Sequence, residues 1–186
     1  FKWENIMKYI ALLRGINISG KNKISMNELK IEFENLGYSE VVTYLNSGNI
    51  IFKSNDSKNN ITNTIYLMIK EKFNLEIPVY IINSLELQDL LNNKPDWWGN
   101  NNKEIYDNII FIITPHTYKE IYEVLGAPNE KLEKIQKFKN NIFWSYNLKE
   151  YRKTNWWSKT ASTSISKYIT IRTSNTMKKI LEICNK

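Results

Sequence analysis

Cysteine and histidine are nearly missing from this chain of 186 residues: each occurs once, as Cys184 and His116. A lone cysteine cannot close an internal disulfide, which points to a reducing, cytoplasmic compartment and to a fold held by its core. One thiol and one imidazole also make a poor kit for a metal, and no metal or cofactor is expected. No apolar run approaches the roughly 20 residues that cross a bilayer, so no membrane partner is expected. Residues 1–6, Phe1 to Ile6, lack the apolar core of a signal peptide and read as a leader ahead of a natural start at Met7.

Net charge is absent from most of the chain as well. Residues 1–148 hold 17 Lys and Arg against 17 Asp and Glu, so the whole excess of +7 falls in residues 149–186, with nine cations against Glu150 and Glu182. A basic segment of that kind is either a solvated helical surface or a face that attracts phosphate or nucleic acid.

What is present is a core: 42% of residues are hydrophobic and 13% aromatic. The run Tyr9-Ile10-Ala11-Leu12-Leu13 reads as a strand. Ser25 and Glu28 form a capping-box pattern for a helix over 25–36, with Met26, Leu29, Phe33 and Leu36 on one face and Gly37 as its stop. The loop Asn46–Asn49 separates Val41–Leu45 from Ile50–Lys53 as a hairpin. A helix carrying Ile61, Ile65, Met68, Ile69 and Phe73 and the strand Val79–Ile82 complete the order strand, helix, strand, strand, helix, strand. That is the split βαβ, ferredoxin-like unit.

A short helix over Ser84–Leu91 and an Asn-, Pro- and Gly-containing linker at 92–107 follow, and the pattern restarts. Ile109–Ile113 is a strand, Thr117 and Glu120 a second capping box, and Ile142–Tyr146 another strand, with Leu132–Phe138 a fainter one before it. The spacing of Trp157, Ala161, Ile165 and Tyr168 predicts a helix, Ile169–Ile171 a closing strand, and Thr173 or Ser174 a cap for a last helix through Cys184. The expected fold class is α+β: two ferredoxin-like βαββαβ halves, 7–91 and 108–186, with antiparallel sheets and helices on one face of each.

This topology brings Arg14–Asn17 and Asn46–Asn49 to one end of the first sheet. Arg14 offers a planar fork for carboxylate or phosphate, Gly15 and Gly48 permit close backbone approach, and Lys21 and Lys23 lie in the same connection. The same residues also serve plain turns, with Arg14 bracing two loops. Gly15 to Lys21 resembles the start of a phosphate-binding P-loop, but Asn22 stands where a Ser or Thr would hold magnesium and the helix starts four residues later, so the match reads as chance. Cys184 falls on the apolar face of a helix as an inert core thiol, and His116 at an exposed helix start. Trp97-Trp98 and Trp156-Trp157 either stack on bases or plug a seam between the halves. No catalytic constellation emerges.

The segment Leu12-Leu13-Arg14-Gly15-Ile16-Asn17, with Gly20-Lys21-Asn22-Lys23, Met26, Leu29, Gly37, Thr43-Tyr44 and Ser47-Gly48-Asn49, resembles the bacterial DUF1697 family, domains of unknown function. Ser158-Lys159, Thr170-Ile171-Arg172, Asn175-Thr176 and Lys179 extend the resemblance, which runs from Met7 to about Ile183. Thr173-Ser174 depart from the Asn-Trp usual in the family, and Pro95–Gly99 from its Asn-Pro-Phe. The resemblance implies a cytoplasmic protein of two ferredoxin-like halves and no stated activity. The site residues that match its motifs or share the loop are Arg14, Asn17, Lys21, Lys23, Ser47, Gly48, Asn49, Lys159, Arg172 and Asn175. Their basic and polar character suits a small phosphorylated or carboxylated ligand. Nucleic acid held by the basic, Trp-containing C-terminal segment and a protein-interaction module are the alternative readings.

Overall fold

The computed structural model describes residues 5–186, so the first four residues of the expected leader lie outside the described residues. The chain forms two compact units, one running up to Gln88 and including Ile180–Lys186, the other Asp89–Lys179. In the first, β1 (Met7–Leu13), α1 (Met26–Asn35), β2 (Ser39–Tyr44), β3 (Asn49–Ser54), α2 (Lys58–Phe73) and β4 (Val79–Asn83) build an antiparallel sheet in the order β2-β3-β1-β4. That order puts β1 and β3 at the centre, as the split βαβ reading requires.

Packing follows the period-two alternation of the strands. Tyr9, Ala11 and Leu13 of β1, with Ile50 and Phe52 of β3, face Leu29 and Phe33 of α1 and Ile61, Ile65, Met68 and Ile69 of α2. The opposite face, with Ile10, Leu12, Ile51 and Ile82, is buried too. This two-sided burial is why β1 and β3 read as continuous apolar runs. Ser25 caps α1 by accepting from the Glu28 amide at 3.4 Å, and Asn74, left-handed at φ 54°, ends α2.

The second unit repeats the plan. After α3 (Ser84–Asn92), the strands β5 (Ile105–Ile112), β6 (Glu133–Phe138), β7 (Asn141–Asn147) and β8 (Ile169–Thr173) form an antiparallel sheet ordered β6-β7-β5-β8. The helix α4 (Tyr118–Leu125), with a complete Thr117–Glu120 capping box, and α5 (Trp156–Ser162) cover Ile110, Ile112, Ile142 and Trp144. The last helix, α6 (Ser174–Cys184), begins under a bond from the Thr176 amide to the Thr173 hydroxyl, 3.3 Å.

Three expectations change here. Within the stretch 92–107, Trp98 is fully buried, its indole donates to the Asn108 carbonyl at 2.8 Å and its ring meets Phe143 edge-on. The boundary falls at Gln88–Asp89, and the chain's end returns to the first unit, where Lys8 Nζ caps the Cys184 carbonyl at 2.6 Å. The helix expected from Trp157 through Tyr168 breaks after Ser162; residues 164–168 form a 3-10 turn. Its hydroxyls compete for the backbone: Thr160 Oγ1 donates to the Trp157 carbonyl at 2.8 Å and Thr163 Oγ1 to that of Lys159 at 2.5 Å. Asn49, read as a loop residue, opens β3.

Candidate functional site

The loops after β1 and before β3 converge at one end of the first sheet. The Leu13 amide donates to the Gly48 carbonyl at 2.9 Å, and the Arg14 amide to that of Pro78 at 3.1 Å. Asn17 joins the two loops. Its side-chain nitrogen donates to the carbonyls of Ile24, 3.0 Å, and Asn46, 2.9 Å, while its oxygen accepts from the Ile24 amide at 2.9 Å. The left-handed backbone of Asn17, φ 54°, suits asparagine and sets this geometry. Asn22 adds a bond from its side chain to the Gly15 carbonyl, 2.9 Å. Gly48 packs so closely that a Cβ would lie 2.8 Å from Ile16 Cδ1 and 2.9 Å from Leu13 Cβ. The candidate residues of this loop end are thus the ones that hold its turns.

Beside this clasp is an open cleft of about 570 Å³, lined among others by Asn17, Gly20, Lys23, Ser25, Met26 and Asn46. Its far wall is the first turn of α1, where the amides of Met26 and Asn27 precede any intrahelical acceptor. Lys23 supplies a cation at the rim. Arg14 stands half-buried at the foot of the same loop, and burial lowers the pKa of its guanidinium.

The remaining named residues divide by unit. Lys21 and Ser47 are exposed at the loop end, and Ser47 accepts from Asn49 Nδ2 at 3.0 Å. Asn49 is fully buried, and its amide also donates to the Tyr44 carbonyl at 2.8 Å. In the second unit, Lys159 Nζ caps the end of α4 at the Leu125 carbonyl, 3.1 Å. Arg172, buried on β8, donates to Thr170 Oγ1 at 2.8 Å and to the Ile171 carbonyl at 3.0 Å; burial pushes its pKa down to about 10, so the guanidinium stays charged at neutral pH. Asn175 lines a separate cleft of about 540 Å³ with Lys103, Tyr106 and Thr173.

Sequence reasoning missed Asp107, a buried carboxylate. It accepts from the Ser145 hydroxyl and from the Gly99 amide, the latter at 3.0 Å, pinning the Trp98 turn to the sheet. It also missed Glu133, buried at the start of β6, which accepts from the amides of Asn129 and Asn155 and from the Trp144 indole. Neither carried a sequence signal, because their partners lie up to 38 residues away. Met26 and Asn27 were within reach of the cap pattern at Ser25, which places a helix start beside the loop.

A family model described as "Protein of unknown function (DUF1697)" matches residues 6–143. The chain belongs to this family. The motifs from Leu12 to Asn49 lie inside the match; Lys159, Arg172 and Asn175 lie beyond it. The DUF1697 chain is also similar to a solved structure, a conserved bacterial protein from Streptococcus pneumoniae, with 29% identity and a TM-score of 0.85 over 95% of this chain and 98% of that one. No curated protein matches it.

Several cations of the basic C-terminal segment of this DUF1697 chain have partners within the protein. Lys149 and Lys153 face Glu104 and Glu150, and Lys178 Nζ bonds the Gly99 carbonyl over the Trp98 ring. Of the tandem tryptophans, Trp98 and Trp156 are fully buried, while Trp157 keeps 39% of its surface exposed. Among the described residues no three His, Cys, Asp or Glu side chains gather as metal ligands. None of the described helices is long and apolar enough to cross a membrane.

Proposed function

We propose that the protein binds a small phosphorylated or carboxylated molecule at the loop end of its first sheet. The observation that carries this reading is the cleft of about 570 Å³ held open between the Asn17–Asn46 clasp and the first turn of α1. Its size suits a small metabolite. Lys23 supplies positive charge, and the Met26 and Asn27 amides supply donors aligned with the helix dipole, while Arg14, on the same loop, does not line the cleft. Asn17 and Asn49 act by holding the loops, since their amide hydrogens are already bonded to the protein. The reading is one of binding.

A thermal-shift and calorimetric screen of phosphorylated and carboxylated metabolites tests it. At least one compound should bind saturably, and Lys23→Met should weaken that binding about tenfold, the loss of one charge-assisted contact, without changing the unliganded melting temperature. A screen in which nothing binds, or binding that Lys23→Met leaves intact, refutes the assignment.

A further inference from the structure

In the second unit, β6 is an edge strand: among the described residues its only ladder partner is β7. The register fixes which of its backbone groups are spent. The Asn147 amide donates to the Leu132 carbonyl at 2.8 Å, so pairs with β7 through Leu132, Lys134, Gln136 and Phe138 carry the ladder bonds, and the amides and carbonyls of Glu133, Ile135 and Lys137 point to the open edge. Glu133 fills its outward amide with the Asn129 carbonyl at 2.9 Å. Among the described residues, none bonds the outward groups of Ile135 and Lys137.

A groove of about 460 Å³ lies against the first half of that edge, lined by Trp97, Tyr118, Tyr122, Lys134 and Ile135 and by two carboxylates, the exposed Glu130 and the buried Glu133, whose oxygens are taken by the Asn129 and Asn155 amides and the Trp144 indole. Tyr118 and Tyr122 come from α4 on one face of the sheet. Trp97, next to the buried Trp98 in sequence, lines the same groove. Three rings thus border the groove beside the open edge. Lys131, Lys134 and Lys137 are exposed along it, and Lys137 Nζ sits 5.3 Å from the Tyr118 ring centroid.

We propose that the free edge of β6 is a docking strand for an extended, acidic segment of another polypeptide. Backbone groups arrayed at strand spacing select an extended chain, because only that chain presents donors and acceptors at the matching repeat. The rings of the groove accept its apolar or aromatic side chains, and the lysines select acidic residues between them. A second copy pairing through the same edge would bring Lys134 and Lys137 of both chains into one ladder, where like charges repel. Edge lysines block self-pairing and leave room for an acidic partner.

Fluorescence anisotropy with the intact protein and a fluorescein-labelled peptide alternating aspartate with tyrosine tests the proposal. The peptide should bind saturably. A version with lysine for aspartate, and one with N-methylated backbone amides, should each bind about tenfold more weakly or worse. Lys137→Pro removes an outward amide without touching the β7 ladder and should abolish binding, as should Trp97→Ala. Circular dichroism checks that each variant folds, and the N-methylated peptide tests main-chain pairing on the unaltered protein. Absent binding, equal binding of the N-methylated or lysine peptide, or self-association lost in Lys137→Pro would each overturn the proposal.

Discussion

Asn17 offers a sharp test of how the loop end is held. Its side chain makes three hydrogen bonds, at 3.0, 2.9 and 2.9 Å, and one of them satisfies the amide of Ile24, which is 5% exposed. Each bond contributes about 1 kcal/mol net. Alanine at φ 54° adds roughly 1 kcal/mol of left-handed strain. Asn17→Ala should therefore cost about 3–4 kcal/mol. Asn17→Gly escapes the strain and should cost about 2–3 kcal/mol. Asn17→Asp keeps the backbone geometry and the bond from Ile24 but turns a carboxylate oxygen toward the Ile24 and Asn46 carbonyls. It should be the worst of the three at neutral pH, recovering in part as acid protonates the carboxyl, because the acid form alone can donate. With two units in the chain a single global unfolding energy is ill-defined, so the readout is hydrogen exchange of the Ile24 amide itself. An Ile24 amide as protected in Asn17→Ala as in the wild type, or a glycine variant no better than alanine, would refute this account of the clasp.

Gly48→Ala should lower the melting temperature sharply, by the equivalent of about 2–4 kcal/mol, because its Cβ would sit 2.8 Å from Ile16 and 2.9 Å from Leu13 at a φ of 87°; a shift within experimental error would mean that the hairpin gives way easily. Tyr38→Phe should be neutral or stabilising at pH 7, since the Tyr38 hydroxyl is buried with no hydrogen-bond partner among the described residues. Burial first, then Asp56, pushes the Tyr38 phenol up to about 12. A raised folded-state value means full stability below the unfolded pKa near 10 and loss as pH climbs through about 12. Tyr146, raised to about 12 mainly by burial, falls in the same window, so the alkaline midpoint followed by phenolate absorbance should rise in Tyr38→Phe and rise further with Tyr146→Phe. A wild type that holds its stability from pH 10 to 12 would contradict the burial argument.

Local periodicity and capping chemistry are decided within a few residues, and so were legible in the sequence. Leu29 and Phe33 at helical spacing behind Ser25, the apolar run of β1, and the Thr117–Glu120 box each announce one element, and their order implies the ferredoxin-like plan of both sheets. The convergence of Arg14–Asn17 with the hairpin loop followed from that topology alone. Tertiary structure decided what each side chain does there. Nothing in the local sequence says that the hydrogens of Asn17 and Asn49 are spent on carbonyls 29 and 5 residues away. Nor does it say that Lys159 caps α4, 34 residues upstream, or that Asp107 pins the turn of Trp98. The same holds for 92–107: Asn, Pro and Gly mark irregular backbone equally in solvent and in the interior, and only contact with Phe143 and Asn108 makes Trp98 part of the core. A sequence records a residue's capacity for hydrogen bonds and burial; the fold determines which partner takes it up.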